Sequence, residues 1–257
     1  MRGVVLHVPA FAEEMNKSRR MTAWAARELA SRGYGVLQID LLGCGDSPGE
    51  FGDATWNDWV EDIVAASAWI RAQCNGPLWL WGLRAGALLA AAALPLVGSR
   101  PSLLLWQPVL SGRNYLTQFL RLKLAAGLSA ERRDSGGTEA LREELRQGRP
   151  IEVAGYRLSP ALAAELDAVE LALTAANVGR VVWIEVTGSE PPALLPASQS
   201  RISGMHAQRM QVSATAVRGP GFWQTLEIED CSDLIDASVI ALQSEGEREL
   251  SRDPALL

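Results

Sequence analysis

The sequence predicts an α/β protein built on a doubly wound, mostly parallel sheet. Short apolar runs alternate with helix-periodic segments almost from the first residue. Those runs are continuously apolar, as expected for strands buried on both faces. A glycine-bounded turn leads straight from one of them into a small-residue helix at Gly82–Gly86.

The elements follow in order. Gly3 to Val8 (GVVLHV) reads as a buried strand. From Ser18 to Ser31, Met21, Trp24, Ala25 and Leu29 share a helical face, and Gly33 ends it. Gly35 to Asp40 is the next strand. Trp56, Trp59, Val60, Ile63, Val64 and Ile70 define a second helix, with Thr55 placed to cap it. Leu78 to Trp81 and Leu103 to Trp106 are the third and fourth strands, and Arg180 to Val186 and Val212 to Arg218 supply two more. Trp56, Trp59, Trp79 and Trp81 fall at core-facing spacings.

The rhythm breaks between about Ser111 and Val178. Helical patterns run there over 114–127, 138–147 and 159–175, with one short strand candidate at Ile151 to Ala154 and breaks at Gly136-Gly137 and Gly148 to Pro150. The expected organisation is a core over 1–110 and 179–257 with a helical lid over 111–178. Lengthened crossover helices are the alternative. Within that segment Arg113, Leu116, Phe119, Leu120, Arg121 and Lys123 suit either packing on the same domain or docking to a partner or membrane surface.

Composition narrows the function. Of 257 residues, 48% are apolar and 21% charged, which excludes disordered and collagen-like chains. The formal charge of -6 argues against a nucleic-acid partner. Cys44, Cys74 and Cys231 are three, far apart, and suit a reducing, cytoplasmic setting with neither a disulfide framework nor a metal cluster. No cofactor is implied, no signal peptide is visible, and the stretch from Gly86 is too short to span a bilayer.

The segment LWLWGLRAGALLAAAAL has the architecture of a nucleophile elbow, but Arg84 stands where the nucleophile belongs. A guanidinium stays protonated and cannot attack an acyl carbon. With the elbow, His7-Val8-Pro9-Ala10-Phe11, Asp40 with Gly43 to Ser47, and Gly219 to Phe222, nearly the whole chain resembles the α/β-hydrolase superfamily. More narrowly, PAFAEEMNKSRRM, GLRAG, EVAGY and GPGFWQTLEI resemble the exosortase A system-associated hydrolase 2 family, which accompanies bacterial exopolysaccharide and protein-sorting loci.

The resemblance implies an oxyanion loop at His7 to Phe11, an acid place at Glu190 and a base place at Phe222 or Trp223. It also implies that the first two strands of the superfamily's sheet are missing, leaving an edge that a partner could cover. His206 lies on a helix, and neither Cys44 nor Ser47 has a histidine in sequence context. No standard triad can be assembled.

Three functions stay open. Arg84, with the amides of Ala85 and of Ala10 or Phe11, can hold an anionic small molecule or acyl ligand at a helix N-terminus, His7 lying close by. Alternatively Arg84 pairs with Glu13, Glu14 or Glu190. The chain can serve as a partner-binding module of an exopolysaccharide or sorting system, or it can retain weak acyl hydrolysis or transfer without a triad.

Overall fold

The computed structural model describes residues 1–127 and 137–250. Six strands form one sheet: β1 (Gly3–Val8), β2 (Tyr34–Gln38), β3 (Leu78–Leu83), β4 (Ser102–Trp106), β7 (Arg180–Thr187) and β8 (Gln211–Arg218), the two shorter strands β5 (Ile151–Val153) and β6 (Tyr156–Leu158) lying outside it. Their spatial order is β2-β1-β3-β4-β7-β8, and every neighbouring pair is parallel. Parallel neighbours require crossovers, which are supplied by α1 (Glu13–Ser31), α2 (Trp56–Gln73), α3 (Gly86–Val97) and α7 (Pro196–Ala207). Helix α8 (Ser232–Leu250) follows the last strand.

The sheet divides the core in two because successive side chains point to opposite faces. Along β3, Leu78 and Leu80 join the apolar cluster that takes in α2, α3 and α7. Trp79, Trp81 and Leu83 join the other cluster, against α1 and α8. Two polar links tie α8 down: the Trp106 indole N–H donates to Ser238 Oγ at 2.8 Å, and the Tyr34 hydroxyl donates to the Leu242 carbonyl at 2.9 Å. Trp56, Trp59, Trp79 and Trp81 are all buried, as their spacing indicates.

Between β4 and β7 lie α4 (Gly112–Gly127), α5 (Gly137–Arg146), a hairpin of β5 (Ile151–Val153) and β6 (Tyr156–Leu158), and α6 (Pro160–Ala168). Gly136, one half of an expected break, falls outside the described residues. The segment is tied to the core where the Trp56 N–H donates to Glu165 Oε2 at 2.6 Å and Asn16 donates to the Tyr156 hydroxyl at 2.6 Å.

Three of the differences from the sequence reading have a clear local reason. Helix α1 begins at Glu13, not Ser18: the Ser18 hydroxyl bonds back to the Glu14 carbonyl at 2.6 Å instead of capping, and Met15 extends the buried face. The helix expected over 159–175 stops at Ala168, because the backbone beyond it bonds to the chain ahead of α4: the Gly112 N–H donates to the Val169 carbonyl and the Leu171 N–H to the Leu110 carbonyl. The single strand expected at Ile151 to Ala154 is half of a hairpin, whose two-residue turn puts Ala154 and Gly155 at φ 51° and 85°.

At the sharp turn between β3 and α3, a Cβ on Gly86 would run into the carbonyl oxygens of Val8 and Pro9, and one on Gly82 would sit 2.7 Å from Ala87 Cα. Gly86→Ala should therefore cost at least about 2 kcal/mol or prevent folding. Gly204, in α7, has open space around its Cα, so Gly204→Ala should stabilise by about 0.5–1 kcal/mol. Urea unfolding of both variants measures the contrast.

Candidate functional site

Arg84 sits at the tip of the β3–α3 turn with φ 55°, a left-handed conformation rare for a residue with a side chain. Three backbone hydrogen bonds hold it there. Its N–H donates to the Trp106 carbonyl at 3.0 Å, and its carbonyl accepts from the amides of Ala87 at 3.1 Å and Val109 at 3.2 Å. The turn thus locks the side chain above the carboxyl ends of β3 and β4.

Of the three carboxylates considered as partners, Glu14 is the one that meets Arg84. The guanidinium Nε lies 3.2 and 3.3 Å from the two Glu14 oxygens and Nη2 lies 3.1 Å from Oε1, a side-on, two-nitrogen grip. Both side chains are mostly buried, 14% and 18% exposed. The Tyr115 hydroxyl, from α4, donates to Glu14 Oε2 at 2.8 Å. Burial, and then the Glu14 charge, push the Tyr115 phenol well above its usual value, so it remains a donor. The guanidinium carbon also stands 5.7 Å from the Tyr115 ring and 5.4 Å from the Trp223 ring, both within cation–π range.

These groups line a cavity of about 150 Å³ together with Phe11, Glu13, Lys17, Gln118, Phe119, Leu122 and Gln224; no serine, cysteine or histidine is among them. Lys17 forms no ion pair among the described residues. Phe11 anchors the wall, its ring edge-on to Phe51, Trp59, Tyr115 and Phe119 at centroid distances of 5.1–5.8 Å.

Several expected site residues lie elsewhere. Phe222 does not face Arg84; it packs against Trp106 in the α1/α8 core, and the next residue, Trp223, faces the guanidinium. Glu190 is a surface residue paired with Arg218 at 2.9 Å and is absent from the cavity wall. His7 and Ala10 line a different cavity from Arg84 and Phe11, because Ala10 and Phe11 point to opposite sides of the sheet's carboxyl edge. Ala85 is buried and contributes only its backbone N–H, which, like those of Ala10 and Phe11, donates no hydrogen bond among the described residues.

The other nucleophile candidates are engaged or sealed. Burial and the nearby Asp40 and Asp62 push the Cys44 thiol up to about 11, and the Ser47 hydroxyl donates to the Asp40 carbonyl at 2.6 Å. His206 is exposed on α7. Among the described residues no group of three His, Cys, Asp or Glu is arranged to hold a metal. No helix among them is long and apolar enough to cross a membrane.

This fold is shared with solved α/β hydrolases. The chain is similar to a lipolytic enzyme of the metagenome-derived pair LipS and LipT, at 19% identity and TM-score 0.58, over 95% of this chain and 94% of that one. It is similar to Est1E from Butyrivibrio proteoclasticus, solved with ferulic acid bound, at 13% identity and TM-score 0.56, over 97% and 89% of the two chains. It is also similar to XC6422 from Xanthomonas campestris, an α/β serine hydrolase without a lid, at 17% identity and TM-score 0.52, over 96% and 82%. The protein is thus an α/β hydrolase by fold. Residues 1–195 match the family described as serine aminopeptidase, S33, and the chain belongs to that family. No curated protein matches it.

Two outcomes follow from the electrostatics. Glu14→Ala leaves a mostly buried guanidinium unpaired and should destabilise by on the order of 2 kcal/mol, whereas the double variant Glu14→Leu/Arg84→Met should recover most of that; a double-mutant cycle by urea unfolding checks both. Burial, opposed by the Asp40 charge, lowers the His7 pKa from 6.5 to about 3. Between those values the unfolded chain binds a proton that the folded one does not. His7 therefore costs stability as pH falls below 6.5, on the order of 1 kcal/mol per unit, until about pH 3. His7→Gln should flatten that slope in unfolding series from pH 7 to pH 4 relative to the unsubstituted protein.

Proposed function

We propose that this chain uses the α/β-hydrolase fold to bind a small amphiphilic anion at Arg84, without serine-hydrolase catalysis. One observation carries the reading. Among the described residues Glu14 engages Nε and Nη2 of the guanidinium and Nη1 makes no hydrogen bond, while Arg84 lines the cavity. A carboxylate head would be held by Arg84 and the Lys17 ammonium, both of which line the cavity. A short apolar body would lie against Phe119, Leu122 and Trp223, and a cavity of about 150 Å³ limits its length.

The chemistry of the turn supports binding over turnover. A guanidinium is no nucleophile, and the indole of Trp223, facing it in the base place, takes no proton. In this reading the segment 111–178 is the lid, with α4 as its inner wall. The four segments that resemble the exosortase A system-associated hydrolase 2 family support a role beside an exopolysaccharide or protein-sorting system in the cytoplasm, where the bound anion would be an acyl ligand or the acidic group of a partner protein.

Membership of the S33 family favours one other reading, slow acyl hydrolysis aided by the unengaged Ala85 and Phe11 amides. Calorimetric titration with octanoate separates the two, alongside p-nitrophenyl octanoate turnover and fluorophosphonate labelling. We expect saturable octanoate binding that weakens at least tenfold in Arg84→Gln and severalfold in Lys17→Gln, no binding of octanol, ester turnover at the buffer rate, and no label. Turnover well above buffer that depends on Arg84, or octanoate binding indifferent to both substitutions, would overturn the proposal.

A further inference from the structure

A second cavity, of about 280 Å³, lies on the α1 side of the sheet's carboxyl edge, bounded by the ends of β1, β2 and β3. Its walls include none of the residues that line the Arg84 cavity. The chain runs from β1 outward to β2 and then returns past β1 to β3, so the gap between β1 and β3 is where the winding reverses, and open α/β sheets take ligands at the carboxyl ends of such a gap.

The wall chemistry restricts what can enter. Six of its twelve lining residues are polar: His7, Ser18, Arg19, Thr22, Gln38 and Asp40. Arg19 and Asp40 lie 4.0 Å apart, so the formal charges of the wall cancel and neither an anion nor a cation is drawn in strongly. Ser18 and Thr22 already donate their hydroxyl protons to the Glu14 and Arg19 carbonyls, and offer only lone pairs. Asp40 accepts from the Asp46 N–H at 3.0 Å and keeps further acceptor capacity. Gln38 is exposed, its side chain makes no hydrogen bond among the described residues, and its amide brings both donors and an acceptor. His7 is 6% exposed, and its Nε2 has no partner.

Such a wall asks for an uncharged ligand whose groups each donate and accept. We propose that this cavity binds a small neutral polyol, of monosaccharide size, through its hydroxyl groups, at a site separate from that of Arg84. The volume, at the low end of the range of small-molecule pockets, suits one sugar ring and excludes a chain of several.

The test is NMR of the His7 imidazole and Trp223 indole signals in one sample, titrated with methyl glucoside, with myo-inositol and separately with octanoate. The expected result is a saturable shift of the His7 signal with a millimolar dissociation constant for at least one of the two polyols. That affinity should weaken at least fivefold in Gln38→Leu, whose exposed position leaves folding intact, and in Thr22→Val. The inference is overturned if neither polyol moves the His7 signal, or if both variants bind like the unsubstituted protein. Octanoate response at Trp223 without a polyol response at His7 removes this site and leaves the Arg84 reading standing; the opposite pattern removes the Arg84 reading alone.

Discussion

Helix α3 starts so close to the end of β1 that a Cβ at Gly86 would run into the carbonyl oxygens of Val8 and Pro9, and much of the site's geometry rests on that close approach. It forces the chain from β3 into α3 through two residues, which drives Arg84 to positive φ. The same approach pins the Pro9–Phe11 segment across the carboxyl edge of the sheet. One side of that segment, at Phe11, seals the aromatic wall shared by α2 and α4, and the other, at Ala10, borders the His7 cavity. A single backbone contact thus sets both the aim of the elbow side chain and the partition between two cavities.

A mostly buried arginine at that tip has electrostatic requirements that the rest of the site meets. Desolvation of a guanidinium costs several kcal/mol unless hydrogen bonds and an opposite charge compensate it. Glu14 supplies the charge, Tyr115 supplies a donor to the far Glu14 oxygen, and the rings of Tyr115 and Trp223 supply their negative faces. Glu14 can do so because α1 begins five residues earlier than its apolar pattern suggests, placing two acidic residues in its first turn, where the helix dipole also favours them. The elbow, α1 and α4 are therefore coupled through one carboxylate.

The sheet was legible from sequence because burial on both faces imposes continuous apolar runs, as in LWLW and LLLW. The elbow was legible because close backbone approach admits glycine alone at positions 82 and 86. Less was legible at the site. That Glu14 and not Glu13 or Glu190 meets Arg84 depends on the phase of α1 and on the course of the 188–195 loop, which leaves Glu190 at the surface. The choice between Phe222 and Trp223 depends on one residue of register after β8. The second half of the β5–β6 hairpin, Tyr156 to Leu158, was not read from the sequence.

Sequence by itself determined the class of fold, the tight turn and the presence of a cation where a nucleophile would stand, since each follows from local periodicity or from the chemistry of one residue type. Tertiary structure alone decided the pairing of Arg84 with Glu14, the position of Trp223 over it, and the separation of His7 and Ala10 from Phe11. Those relations join residues up to 139 positions apart, and they are settled by how helices dock on the sheet, which no local pattern encodes.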